Sequence, residues 1–236
     1  MPQFSRSIVP TISFVNLAKE PLDADLGEMV AALQRYVDDC LAPVWGTPAT
    51  LRVAKHVPKG HWGVVFTDGY HQATTDGVHD LTQDGYPLAN VYVSTVLKAK
   101  EKVSLTVSHE LAEMLVDPGA NIDVEGPRNV LYSYEVADPV EEDKFLVDGF
   151  QMSDFVFPAW FEGFHKPHST QFDYMKKLSR PFQVRRTGYA LVLYHGRWIY
   201  RTITPAKLRR LEEEDRRGHR STLRPHRHRR KRSRCI

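Results

Sequence analysis

The segment TVSHELAEMLVDP, residues 106–118, is the feature that most constrains the fold of this chain. Apolar residues recur through it and just before it at spacings of three and four, namely Val103, Val107, Leu111, Met114 and Leu115. This period predicts a helix with one buried flank, which a Pro-Gly pair ends. His109, Glu113 and Asp117 are spaced by four residues and therefore share one face of that helix. The helix thus carries three candidate metal ligands along one stripe.

Glu110 follows His109 directly and lies about 100° further around the helix. Glu110 cannot easily share a cation with His109 and Glu113, but its carboxylate can reach a water bound beside them. This arrangement of His109, Glu110 and Glu113 is the layout of a zinc-hydrolase helix. The alternative interpretation is an amphipathic surface helix with a charged stripe.

A second acidic segment follows a turn-rich stretch. Residues 130–139 are apolar and aromatic, and they carry Glu135 and Asp138. With this segment the chain resembles the gluzincin metallopeptidases, the thermolysin-type zinc enzymes. Their pattern is His-Glu-x-x-His, an aspartate eight residues after the first His, and later a ligand glutamate followed closely by a supporting aspartate.

The match to that pattern has one departure. His109 and Glu110 correspond to the first pair, and Glu113 stands where the second ligand His is expected. The resemblance implies that His109, Glu113 and Glu135 are the metal ligands. It also implies roles for the remaining acids: Asp117 and Asp138 orient the ligands, and Glu110 is the general base for a metal-bound water that attacks a peptide carbonyl.

The same resemblance implies zinc as the metal. Two carboxylate ligands neutralise a divalent cation and make it a weaker Lewis acid, so manganese or iron is the alternative. In gluzincins a His after the ligand glutamate often donates to the oxyanion, and His165 is the candidate for that role, with Tyr132 or Tyr134 as alternatives. His165 follows an aromatic segment, 150–163, that either packs in the core or lines a cleft.

The rest of the chain predicts an α+β fold. Strands are expected at 8–16, 49–54, 62–67 and 88–96, a helix at 21–41, and a hairpin at 188–202. The resemblance implies a zincin-like mixed sheet with a backing helix and the metal-site helix, followed by a smaller aromatic-rich subdomain. It also implies that a peptide substrate adds to the edge strand, taken as Asn90–Thr95. Residues 70–87 read as a polar loop in which His71 and His79 are either solvated, which is favoured, or ligands of a second metal.

Three segments follow from this pattern: an N-terminal subdomain at 1–118, a C-terminal subdomain at 119–204, and a basic tail at 205–236. The tail carries a net charge of +9 and the preceding residues −6. A short charged helix is expected from Ala206 and disorder beyond Gly218. Such a tail favours non-specific contact with polyanions, although a solubilising extension fits it nearly as well.

Composition limits the class of protein. The chain has 236 residues, no apolar run long enough to span a membrane, and no standard secretion signal at its start. Cys40 and Cys235 give no disulfide framework, and a cytoplasmic location is expected. Two functions remain: a metal-dependent peptidase acting on peptides or proteins, and a non-catalytic zincin-like scaffold or assembly protein of a bacterial or phage element, with a structural or empty metal site.

Overall fold

A mixed five-stranded sheet forms one half of the structure, a computed structural model that describes residues 9–69 and 75–214. Its strands are β1 (Thr11–Asn16), β2 (Thr50–Val53), β3 (Trp62–Thr67), β4 (Gly77–Leu81) and β5 (Pro87–Tyr92). The spatial order is β2-β1-β3-β5-β4. Four strands run parallel, and β4 is antiparallel at the edge beside β5. The predicted α+β class with a mixed sheet is confirmed.

The second half is built from short antiparallel strands: β6 (Asp123–Gly126), β7 (Val130–Ser133), β8 (Lys144–Val147), β9 (Phe150–Ser153), β10 (Ala190–Tyr194) and β11 (Arg197–Arg201). Four of them form a sheet in the order β11-β10-β7-β6, and β8 pairs with β9 as a separate hairpin. The hairpin predicted at 188–202 is confirmed. Its turn is His195-Gly196, where both residues have positive φ, 48° and 76°.

Within residues 9–69 and 75–214, five α-helices accompany the sheets: α1 (Leu26–Arg35), α2 (Ala42–Trp45), α3 (Val93–Lys98), α4 (Val103–Val116) and α5 (Pro205–Glu214). The Asp25 carboxylate caps α1 by accepting a hydrogen bond from the Glu28 amide, and α1 continues into a π-helical turn at Tyr36–Leu41. The helix predicted at 21–41 thus begins at Leu26, after its cap, and not at residue 21. In the part of the chain that the structure describes, no helix is long and apolar enough to cross a membrane.

Helix α4 lies at the centre of the molecule. Every residue of α4 except His109 is buried, because α4 lies between the β4–β5 edge of the sheet and the β8–β9 hairpin. Two serines tie it to that hairpin: Ser104 Oγ donates to the Gln151 carbonyl, and Ser108 Oγ accepts from the Ser153 amide. The alternative of a surface helix is therefore wrong.

The structure corrects the prediction for the region before α4. The expected loop at 70–87 contains β4, and the strand expected at 88–96 ends at Tyr92, where α3 begins. Because β5 is hydrogen-bonded to β3 on one side and β4 on the other, Asn90–Thr95 is not an edge strand that a substrate could extend. The edge belongs to β4. His71 lies outside the described residues.

One hydrophobic core crosses the predicted subdomain boundary at residue 118, since it contains Leu111 from α4 and Phe155 from the following half. The predicted tail begins with a folded helix. Residues 205–214 form α5, the expected charged helix, and Leu211 on α5 is fully buried in a cluster with Tyr189 and Leu191. The folded body therefore extends through α5, and residues 215–236, the rest of the predicted tail, lie outside the described residues.

Candidate metal centre

The first half of the candidate site is formed by α4 and the short 3-10 turn Asp138–Val140. His109 and Glu113 face the same way because they are one helical turn apart, and His109 Nε2 lies 3.4 Å from Glu113 Oε1. Asp138 approaches from the 3-10 turn, with its Oδ1 atom 3.3 Å from His109 Nε2. The Ala137 amide donates a hydrogen bond of 3.3 Å to Glu113 Oε1 and so fixes that carboxylate.

The second half of the site is centred on His79, which projects from the edge strand β4. His79 Nδ1 lies 3.5 Å from Glu110 Oε2 and 3.5 Å from Glu113 Oε2. On the other side of the ring, Nε2 lies 3.5 Å from Glu135 Oε2. His79, His109, Glu110, Glu113, Glu135 and Asp138 together are called the six-residue cluster below. Glu113 is the member that meets both histidines.

The structure brings together five of the seven residues predicted for the site. Glu135 and Asp138 both reach the cluster, but Asp138 contacts His109, where Glu135 was expected, and Glu135 contacts His79. Asp117 ends α4, and its carboxylate accepts hydrogen bonds of 3.1 Å and 2.9 Å from the amides of Asn121 and Ile122. It therefore fixes the turn that follows the helix.

His165 does not reach the cluster, which corrects its predicted role as an oxyanion donor. Its Nε2 atom lies 2.7 Å from Glu162 Oε2, and its ring packs against Phe164 and Phe172. In the part of the chain that the structure describes, His165 forms no ion pair with a member of the cluster. His165 pairs with a Glu only three residues before it in the chain. Its distance from Glu135 in the sequence did not indicate this local pair.

The sequence favours a solvated His79, with a metal ligand as the less favoured alternative, whereas in the structure its side chain is buried in the cluster. The loop predicted at 70–87 contains a short strand, which the pairs Asp76-Gly77 and Asp84-Gly85 flank. Gly85 has a φ of 80° and lies in the turn that joins β4 to β5. Turn signals on both sides of a five-residue run containing Val and Leu are the local evidence that could have indicated a hairpin.

The cluster buries more negative than positive charge. Its four carboxylate residues are all buried, and only 5% of the His79 side chain and 13% of the His109 side chain are exposed. With all four carboxylates ionised and both imidazoles protonated, the six groups would carry a net charge of −2. Burying charge without a partner costs several kcal/mol per ion. A divalent cation is the ligand whose charge would offset this cost.

The pKa values of the cluster reflect this imbalance. Burial opposes the charged form of His79, but the carboxylates of Glu135, Glu110 and Glu113 outweigh it and raise the pKa of His79 to about 10. Burial also opposes the charged form of His109, but nearby carboxylates, Glu113 foremost, outweigh it and raise the pKa of His109 well above its ordinary value. Burial, with Asp138 and Glu135 adding to it against the opposing effect of His109, raises the pKa of Glu113 to about 8. Without a cation, the cluster therefore retains protons at neutral pH.

The contact lengths in the cluster suit a cation better than direct ion pairs. Charge-assisted N–H···O bonds are usually about 2.7–2.9 Å long, whereas the contacts of His109 and His79 measure 3.3–3.5 Å. Two ligand atoms that each lie about 2.1 Å from a tetrahedral ion are about 3.4 Å apart. Imidazole nitrogen and carboxylate oxygen are both donor types that zinc accepts. The residues therefore fit a bound divalent cation.

A small cavity reaches the cluster from the surface. Its volume is about 40 Å³, and its lining includes His109 and Glu110 from the cluster together with Asp76, Glu142 and Arg210. Arg210 lies on α5, and its Nη2 atom is 3.7 Å from Asp76 Oδ2. A cavity of this size holds a few waters at most. Of the cluster residues, His109 and Glu110 are the ones that line this cavity and so contact solvent. Helix α5 contributes Arg210 to its rim.

Comparisons of the chain with protein-family models, with curated proteins and with solved structures found no match.

Proposed function

We propose that this protein is a metal-dependent hydrolase that cleaves peptide bonds, with the cation held by His109, Glu113 and Asp138. The observation that carries the proposal is the pair of contacts from His109 Nε2, 3.4 Å to Glu113 and 3.3 Å to Asp138, in a buried cluster with excess negative charge. Zinc suits one imidazole and two carboxylates, and manganese or iron suits them if the site prefers harder ions.

Glu110 is the proton acceptor in this proposal. It follows His109 on α4, lines the cavity beside it, and lies outside the group that holds the cation. When bound, the cation supplies Lewis acidity, which lowers the pKa of water and polarises a carbonyl. Glu110 would then take a proton from the attacking water and pass it to the leaving amine. Contacts with Glu113 and Asp138 hold His109 in a fixed position. The side of the site that Glu110 shares with solvent is therefore fixed as well.

The choice of the peptide bond as substrate depends on the resemblance to gluzincins. The sequence order of His109, Glu110, Glu135 and Asp138 supports it, as does the placement of all four in one cluster. The antiparallel edge strand β4 passes directly beside the cluster and is the strand that a peptide could extend. The departure at Glu113 predicts slower turnover than a site with two histidine ligands, because the extra carboxylate weakens the Lewis acid.

A non-catalytic scaffold with a structural metal is the second candidate. The observation in its favour is the size of the cavity, about 40 Å³, which is too small for an amino-acid side chain of a substrate. In that case the cation would stabilise the packing of α4 against β4 and the turn at Asp138. Contact of the basic tail with polyanions stays a prediction, since 215–236 lie outside the described residues.

Metal content and one substitution separate these functions. Protein purified without added metal is analysed for zinc, manganese and iron, and is incubated with a peptide library whose cleavage is followed by mass spectrometry. Wild type should contain metal and cleave, and Glu110→Gln should keep the cation at His109 and lose cleavage by about 100-fold or more. His165→Gln is the matched control and should behave as wild type. Metal without cleavage would favour the scaffold, and equal cleavage by Glu110→Gln would exclude its role as base.

A further inference from the structure

The two carboxylate oxygens of Glu113 face different histidines. Oε1 lies 3.4 Å from His109 Nε2, and Oε2 lies 3.5 Å from His79 Nδ1. A carboxylate that presents one oxygen to each of two imidazoles has the arrangement of a ligand that bridges two cations. We propose that the cluster holds a second divalent cation, bound by His79, Glu110 and Glu113, so that Glu113 bridges it to the cation at His109 and Asp138. This inference rests on the proposed function for the first of the two ions.

The ligand atoms of the second group are placed as those of the first. One atom each from His79, Glu110 and Glu113 lie within 4.8 Å of one another, as do those from His109, Glu113 and Asp138. The separation from His79 Nδ1 to each carboxylate is 3.5 Å. This is longer than a charge-assisted hydrogen bond and close to the spacing of about 3.4 Å expected around a tetrahedral ion.

The other nitrogen of His79 provides an independent observation. Nε2 is buried, the side chain is only 5% exposed, and Nε2 makes no hydrogen bond with any residue that the structure describes. Glu135 Oε2 lies 3.5 Å away on this side of the ring. A carboxylate behind a ligating imidazole fixes its tautomer and orientation. Glu135 is thus placed to support His79 while Nδ1 faces the second group.

The buried charge also favours a second cation. Ligating imidazoles are neutral, so His79 and His109 contribute no charge once they bind metal. The four buried carboxylates carry −4 when ionised, and a single divalent cation at His109 would leave −2, or −1 if His79, which is then not a ligand, keeps a proton. Two divalent cations bring the cluster to neutrality. The His-Glu-x-x-Glu pattern on α4 supplies His109 and Glu113, and so it accounts only for the cation at His109.

The second cation changes what Glu110 can do. As a ligand of that cation, the Glu110 carboxylate is no longer available to accept a proton from the attacking water. Hydrolysis should therefore be fastest when the first group alone is filled and should fall as the second group fills. The second cation would enter beside Glu110, which lines the cavity.

Manganese tests this directly, because Mn²⁺ prefers carboxylates and is visible by electron paramagnetic resonance. Full-length protein is stripped with a chelator, dialysed and titrated with Mn²⁺. Wild type should bind two ions that give the spectrum of an exchange-coupled pair, with narrower hyperfine spacing than an isolated ion. His79→Gln should give an isolated ion, and Glu113→Gln should lose the coupled spectrum. Histidines of the segment 215–236 can bind further Mn²⁺, but such ions would be uncoupled.

Matched variants make the result decisive. His165→Gln removes another partly buried imidazole that faces a carboxylate, and it should retain the coupled pair. Melting curves establish which variants fold. If His79→Gln does not fold, the spectrum of saturated wild type alone tests whether a second cation binds. An isolated-ion spectrum in saturated wild type, or a coupled pair that survives in folded His79→Gln, would overturn the inference. Failure of the proposed hydrolysis is a separate result, since it leaves these spectra unchanged.

Discussion

The backbone of Gly77 lies against the side chain of Glu110. A Cβ atom built on Gly77 would lie 2.8 Å from Glu110 Cγ, 2.8 Å from Glu110 Oε1 and 3.0 Å from Thr106 Cγ2. The edge strand β4 therefore approaches α4 as closely as it does because its first residue has no side chain. This close approach places His79, two residues further along β4, within 3.5 Å of Glu110 and Glu113.

Gly77→Ala should displace Glu110 and lower peptide cleavage by at least 10-fold, because small errors in the position of a catalytic group are costly. The φ of Gly77 is not in the left-handed region, so the effect is steric. Gly163→Ala is the control, since its Cβ would meet Phe182 at an ordinary 3.4 Å outside the site. Turnover and melting temperature measured on both variants check this. Unchanged turnover in Gly77→Ala would mean that the position of Glu110 does not matter.

Metal removal should destabilise the protein more at high pH than at low pH. Without a cation, Glu113 has a pKa of about 8 instead of 4.5, so its contribution to stability declines as pH rises through this window. The pKa of His79 is raised from 6.5 to about 10, so its contribution is complete below pH 6.5 and is lost as pH rises toward 10. Both changes have the same sign.

A bound cation replaces those protons and binds best when its ligands are deprotonated. The rise in melting temperature between chelator-treated and metal-loaded protein should therefore be larger at pH 8.5 than at pH 6. Thermal unfolding followed by circular dichroism at both pH values measures it. An increase that is the same at both pH values, or no increase at all, would contradict a cation at this cluster.

Local sequence rules predicted the half of the site that lies on one helix. His109 and Glu113 meet because four residues make about one helical turn, and the same rule gave the apolar positions Leu111 and Leu115. The hairpin at β10 and β11 was likewise predictable from its turn. These features depend on residues close together in the chain.

The other half of the site depends on contacts between distant residues. His79 reaches Glu110 only because β4 pairs antiparallel with β5 at the edge of the sheet, and a strand of five partly polar residues gives a weak signal. The burial of α4 on every side has the same origin. Ser104 and Ser108 look like exposed positions until the β9 backbone is placed against them. Sequence period alone could not have indicated this second packing surface.

Asp154→Asn should make stability less dependent on pH. Asp154 is fully buried beside Asp173, and burial followed by the charge of Asp173 raises the pKa of Asp154 from 3.8 to about 8. The folded protein thus holds a proton that the unfolded chain releases, so this group lowers stability as pH rises from about 4 to 8, by about 1.4 kcal/mol per pH unit at most.

Asparagine mimics the protonated acid, and its oxygen can still accept the hydrogen bonds that Asp154 Oδ1 receives from the amides of Phe155 and Met175. The variant should match wild type near pH 4.5 and exceed it at pH 8. Urea unfolding at several pH values measures this difference. Parallel pH profiles for the two proteins would show that Asp154 is ionised in the folded state.

Tyr132→Phe should leave peptide cleavage unchanged and keep or slightly raise stability. Tyr132 was an alternative oxyanion donor, but it is fully buried, with its ring centroid 6.1 Å from that of Trp160 and 4.5 Å from that of Phe182. Its hydroxyl has no hydrogen-bond partner among the residues that the structure describes. Removing an unsatisfied buried hydroxyl relieves a desolvation cost of about 1–3 kcal/mol, part of which the lost packing offsets.

Tyr36 provides the matched comparison, because it is equally buried but its hydroxyl donates a 3.1 Å hydrogen bond to the Ser153 carbonyl. Tyr36→Phe leaves that buried carbonyl without this donor and should lower the free energy of unfolding by about 1 kcal/mol or more. The two substitutions remove the same atom, so urea unfolding of both should give shifts of opposite sign or of clearly different size. Equal losses of stability would mean that the Tyr132 hydroxyl has a hydrogen-bond partner in solution. A fall in peptide cleavage in Tyr132→Phe alone would mean that Tyr132 acts in the site.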